Sequence, residues 1–206
     1  DFKVNNSGLY QIATRFKQDI LDGIFTSRAL YIYSGEGVSE GEPGYYNGLP
    51  YNEAQRLRFN YSTAWQTQAL SYADENSNLL PLEFYFKEGV TYTIEFEVTL
   101  GDMGDIVRQV SASLNNINDC YLNILKLTGA SPDEYRDYGF SRIMPDTVIT
   151  LILESRNLYK VAALLADLAG EKSANVATLE KVAWLLDRMG RDEDEIAKNL
   201  IQLKSY

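Results

Sequence analysis

The residues of this chain best equipped to hold a ligand are aromatic. Tyr45, Tyr46 and Asn47 stand together, Tyr51 follows, and all four lie in or beside the longest run of turn-forming residues; Trp65 comes next along the chain. The C–H faces of sugar rings stack on π surfaces while amides and carboxylates take the hydroxyls, so these five residues form a candidate carbohydrate-binding set. A competing reading has the tyrosines packing the loop onto the fold and Trp65 buried in a core, because both residue types join an apolar body to a polar tip. Trp184, inside a helical pattern, reads as core.

Catalytic and metal chemistry find less to work with. The chain has no histidine, which removes the usual general base of serine and cysteine hydrolases and the commonest zinc ligand. Asp74-Glu75-Asn76-Ser77-Asn78 offers oxygens at alternate positions, as a calcium loop does, but lacks the glycine of that loop's sharp turn and reads as a solvated turn. A glycosidase needs only two carboxylates about 5 to 10 Å apart, and nothing in the sequence singles out such a pair. Glu95 and Glu97 share one face of a strand pattern, where like charges face water. The sole cysteine, Cys120, sits beside an apolar stripe and reads as a packed thiol. No catalytic residue, metal or cofactor is therefore assigned.

Charge and hydropathy narrow the partners. A net charge of −10, spread over both halves, argues against nucleic acid and against an anionic membrane surface, since both need clustered Lys and Arg. No run of about 18 apolar residues is present, so direct membrane insertion is not expected. The polar start at Asp1 shows neither a signal peptide nor a lipobox cysteine; if the protein is exported, the signal lies outside this sequence.

The elements that must position these residues change character near Gly101. Before it, Thr91 to Leu100 alternates, with Tyr92, Ile94, Phe96, Val98 and Leu100 on one face: a half-buried strand. After it, Met103, Val107, Val110, Leu114, Ile117, Tyr121 and Ile124 recur at steps of four and three, one stripe of a long amphipathic helix that later helices should cover. Earlier segments also alternate: Leu9 to Phe16, Arg28 to Tyr33, Arg56 to Tyr61 and Leu82 to Lys87, the last joined to Thr91–Leu100 by a hairpin turn at Glu88-Gly89. Ser34 to Gly48, with five glycines and Pro43, reads as loop, and so does the polar stretch from about Gln66 to Asn78. Beyond Gly101, Ser131-Pro132-Asp133-Glu134 predicts a short helix, Met144-Pro145-Asp146 starts a long one ending at Gly170, and another is stopped by Gly190. Asp192 with Glu195 forms a capping box for the last. The expected architecture is α+β: an N-terminal antiparallel β-sandwich or jelly roll over residues 1–100, with a missing or partnered edge, then an antiparallel helical bundle over 101–206.

Several of these segments resemble a known family. Gly8 to Phe16, Leu21-Asp22-Gly23, Pro50 to Ala54, Phe59 to Trp65 and Phe84 to Gly89 are similar to the galactose-binding-like jelly rolls embedded in large extracellular solute-binding proteins of Gram-positive ABC sugar importers. Gly101 to Lys126 and Pro132 to Tyr138 resemble a helical insertion that such proteins place before the jelly roll's final strand. No strand pattern follows the last helix here. The resemblance implies an extracellular or cell-surface, non-catalytic module of a lipid-anchored protein in bacterial sugar uptake, with a glycan and the parent protein's other domains as partners. Two other readings stay open: a structural spacer, or a carboxylate-dependent glycoside-active enzyme.

Overall fold

The computed structural model describes residues 1–48, 55–73 and 79–205. The chain divides into two units, Asp1–Met103 and Gly104–Tyr206. Its fold is α+β, with antiparallel strands in small sheets followed by helices.

Among the described residues of the first unit there are ten strands: β1 (Gly8–Gln11), β2 (Ala13–Gln18), β3 (Thr26–Ser34), β4 (Asn47–Gly48), β5 (Gln55–Phe59), β6 (Ser62–Ala69), β7 (Ser71–Ala73), β8 (Leu79–Pro81), β9 (Glu83–Phe86) and β10 (Tyr92–Thr99). The central strand is β3. It pairs with β10 from Ser34 opposite Tyr92 to Ser27 opposite Thr99, while β4 and β5 share its other edge. Three two-stranded sheets, β1-β9, β2-β6 and β7-β8, complete the unit. Leu30, Ile32, Leu57 and Tyr92 from the four-stranded sheet meet Leu82, Phe84 and Phe86 in one core, where the Phe86 and Tyr92 rings are 4.7 Å apart. Fully burying one such side chain contributes about 1.5–3 kcal/mol.

Three sequence expectations change here. The alternating run Leu9 to Phe16 is two strands rather than one, because the chain changes partners at Ile12. Leu70 and Leu82 mark the same kind of break: the Leu70 N–H donates to the Ile12 carbonyl and the Leu82 N–H to the Leu70 carbonyl, each at 2.8 Å. Three strand pairs thus radiate from a junction whose Leu70 and Leu82 side chains are buried. The stretch from Gln66, expected as loop, continues β6 to Ala69 and then forms β7. Its strand is exposed on both faces, so no apolar alternation marks it. The Glu88-Gly89 turn forms, with Gly89 at φ 76°, but the strands it joins do not pair with each other; β9 pairs with β1 and β10 with β3. Crossing between sheets lets Phe86 and Tyr92 face each other across the core instead of lying side by side.

The second unit holds α1 (Asp102–Thr128), α2 (Phe140–Ile143), α3 (Pro145–Ala169), α4 (Ala174–Arg191) and α5 (Asp194–Lys204). Ile117, Cys120 and Ile124 of α1 share a core with Leu151 and Leu158 of α3, Ala183, Leu186 and Met189 of α4, and Ile196, Leu200 and Leu203 of α5. Pro145 opens α3 and Gly170, at φ 75°, closes it, as the punctuation predicts. The α1 stripe is covered unevenly: Val107 and Leu114 remain about half exposed while Ile117 and Ile124 are buried, and near its start the buried residue is Ile106, one position off the stripe.

Other helix signals fail for identifiable reasons. No helix begins at Ser131, because the Asp133 carboxylate accepts the Tyr135 N–H in a tight turn and the Tyr138 hydroxyl accepts the Asp133 N–H. Gly190 does not stop α4. A Cβ there would lie 2.5 Å from Ile152 Cγ1 and 3.3 Å from the Val148 carbonyl oxygen, so its role is to let α3 and α4 approach closely. The Asp192–Glu195 capping box does not form; Glu195 bonds Arg188, Lys198 and Asn199 instead.

Candidate functional site

The alternation of β3 sorts its side chains between core and surface. Leu30 and Ile32 are wholly buried, which turns Tyr31 and Tyr33 to the outer face, where both are partly exposed. Paired residues of antiparallel strands share a face. The register therefore sets Tyr33 between Asn47 of β4 and Thr93 of β10, Tyr31 beside Glu95, and Ala29 beside Glu97. Asn47, Thr93, Glu95 and Glu97 are all exposed.

The outer face is ordered by its own contacts. The Tyr31 and Tyr33 rings are 6.5 Å apart and within 14° of parallel. The Tyr31 hydroxyl donates to Glu97 Oε2 at 2.9 Å. That bond, then partial burial and the Glu97 charge, raises the hydroxyl above the ordinary tyrosine value. Tyr31 therefore stays a proton donor, and Glu97 keeps further acceptor capacity for an incoming hydroxyl. Thr93 donates to the Asp1 carboxylate at 2.5 Å. Two near-parallel rings rimmed by two carboxylates and an amide can stack an apolar ring face and accept hydroxyl hydrogen bonds.

The residues singled out in the sequence are distributed over separate places. Asn47 lies on this face. Tyr45, partly exposed, sits in the preceding turn, its N–H donating to the Glu42 carbonyl. Tyr46 is a packing residue: its ring lies against Phe84, Phe86 and Tyr92, and its hydroxyl donates to the Tyr85 carbonyl at 3.2 Å while accepting the Tyr85 N–H at 2.9 Å. Tyr51 and the Asp74–Asn78 run lie outside the described residues. Trp65 is on β6, in a different sheet, 63% exposed, with the Arg15 guanidinium 5.5 Å from its ring centroid. Trp184, expected in the core, is half exposed under Arg188.

Tyr31 and Tyr33 went unnoticed in the sequence although their alternation with Leu30 and Ile32 is plain there. What it could not supply is the pairing that brings Glu95, Glu97 and Asn47 beside them.

Polar groups buried in the bundle are matched within it. Glu154 accepts from Asn116 at 2.7 Å and Asn157 at 3.2 Å, and Ser155 donates to the Ala183 carbonyl. Burial would raise the Glu195 carboxyl, but hydrogen bonds from Asn199 and Lys198 and the Arg188 charge outweigh it and hold the group below its ordinary value. Burial, with Glu154 and Asp119 nearby, pushes the Cys120 thiol up to about 11, so it is an inert packed group. Among the described residues no group of three or more His, Cys, Asp or Glu is placed to hold a metal.

The chain thus joins small antiparallel sheets with an aromatic outer face to a helical bundle whose buried polar groups are matched within it. Residues 105–205, nearly the whole helical unit, match the family model of the bacterial solute-binding protein 4-helix bundle domain. The likeness is to the helical unit, just under half of the chain. Bacterial solute-binding proteins are typically extracellular or surface-bound, and among the described residues no helix is long and apolar enough to cross a membrane. No curated protein and no solved structure matches the chain.

Proposed function

We propose that the chain is a non-catalytic, extracellular module of a solute-binding protein serving ABC-type sugar uptake, and that its first unit binds carbohydrate through the outer face of the four-stranded sheet. The supporting observation is the juxtaposition of Tyr31 and Tyr33 with Asn47, Glu95 and Glu97. The rings offer a stacking surface, and the carboxylates and amide offer hydrogen-bond acceptors at its rim. Trp65 beside Arg15 is a second exposed aromatic position that a long polysaccharide would reach. The helical unit acts as a rigid spacer or docking surface for the parent protein's other domains.

The test is a calorimetric titration of the full chain with plant and host-type polysaccharides. Binding that falls at least roughly tenfold in Tyr33→Ala, about the loss of one stacking contact, is the expected result. The spacer reading draws on the packing of Tyr46, and it gains if no polysaccharide binds the unmodified chain.

A further inference from the structure

Two contacts lay the start of the chain along the free edge of β10. The Phe2 N–H donates to the Tyr92 carbonyl and the Tyr92 N–H to the Phe2 carbonyl, each at 2.9 Å, an antiparallel hydrogen-bonded pair. One step on, Thr93 Oγ1 donates to Asp1 Oδ1, so Asp1 stands opposite Thr93 in the same register. Because Tyr92 turns its backbone groups toward Phe2, and these groups alternate sides along a strand, Ile94, Phe96 and Val98 turn theirs to the same edge. Thr93, Glu95, Glu97 and Thr99 turn theirs to β3. Among the described residues nothing beyond Phe2 pairs with that edge. Beside it, Phe96 is 44% and Val98 75% exposed, although both belong to the inner, apolar face of the strand. Unpaired backbone groups next to uncovered apolar side chains form a template for one more strand.

We propose that this edge is occupied by the polypeptide joined directly ahead of Asp1, running antiparallel to β10 and extending the Asp1–Phe2 bridge into a full strand. The register fixes its chemistry. The first, third and fifth residues before Asp1 oppose Ile94, Phe96 and Val98 on the inner face and are apolar. The second and fourth oppose Glu95 and Glu97 and are basic or neutral. Phe2 already follows this pattern, packing edge-on against Phe86 at 5.0 Å while Asp1 lies on the outer side. A second copy of the chain fits the edge less well: an antiparallel β10 pair centred on Phe96, the register that uses the whole free edge, would set Glu95 of each copy against Glu97 of the other, and directly opposed like charges destabilise a sheet.

The experiment is backbone hydrogen exchange on the present chain and on the chain lengthened by the five residues that precede Asp1 in its parent polypeptide. In the lengthened chain the Ile94, Phe96 and Val98 amides slow at least roughly tenfold, independently of protein concentration, while the Glu95 and Glu97 amides, already paired with β3, change little. Placing proline at the third residue before Asp1 removes the N–H that the Phe96 carbonyl would accept; a strand that cannot keep this ladder bond does not seat, so the Ile94, Phe96 and Val98 amides return to fast exchange together. Unchanged exchange in the lengthened chain overturns the proposal. Protection that grows with protein concentration also overturns it, since it would assign the edge to a second copy. Glycan titration does not enter this readout, so either proposal can fail without the other.

Discussion

The two halves of the chain treat their polar and aromatic groups in opposite ways. In the helical unit, buried Glu154, Ser155 and Glu195 find partners on neighbouring turns and helices, and the larger side chains turned outward include the apolar Val107, Leu114, Ile149 and Leu153. In the strand unit, β3 divides its residues between a wholly buried pair, Leu30 and Ile32, and an outward pair, Tyr31 and Tyr33, that meets carboxylates from β10. Each helix of the bundle buries one stripe against its neighbours, whereas the four-stranded sheet sets an ordered row of paired polar and aromatic side chains on its outer face. The ligand surface proposed above lies wholly within the first unit.

Substitution should expose that division. Leu186→Ala, at a wholly buried position of α4, should lower the stability of the helical unit by about 2–5 kcal/mol in urea denaturation and leave polysaccharide affinity unchanged. An equal loss of affinity would show that the halves are not separable in function. Gly190→Ala should also destabilise, by about 1–3 kcal/mol. The clash with Ile152 and the Val148 carbonyl outweighs the helix propensity gained, which is about 1 kcal/mol. A more stable variant would mean that α3 and α4 can separate at little cost.

Smaller effects follow from ionisation. Because the folded Glu195 carboxyl lies below its ordinary value, it contributes stability that is present above the unfolded value and lost as pH falls through the folded one. Glu195→Gln should flatten the acid limb of the stability–pH profile, and an unchanged acid limb would count against the Arg188–Lys198–Asn199 cluster. Cys120 has the opposite sign. Its raised value means that the neutral thiol's contribution is intact below the ordinary cysteine range and is lost as pH rises toward about 11. Native protein at pH 8 should therefore react with a thiol reagent only as fast as it opens; rapid labelling without unfolding would contradict the packed geometry.

Much of the fold was legible in the sequence, and the exceptions have physical causes. The start of α3 at Pro145 and its end at Gly170 are local backbone requirements, so local residues reveal them. The role of Gly190 depends on Ile152, a residue of another helix, and cannot be read from its neighbours in sequence. Partner exchange at Ile12, Leu70 and Leu82 was invisible for the same reason: alternation fixes which residues share a face, not which strand lies beside them. The candidate site suffered most from this. Aromatic clustering drew attention to Tyr46, whose hydroxyl is engaged by Tyr85, while Tyr31 and Tyr33 gain their significance only from the register with β10.

The account is tested most directly by calorimetric titration of one polysaccharide panel against the full chain and its Tyr31→Ala/Tyr33→Ala variant, with thermal melts run alongside. Measurable binding by the unmodified chain, abolished in a variant whose helical unit melts unchanged, is the predicted result. Binding that survives the double substitution at full strength would contradict the assignment of the outer face as the ligand surface.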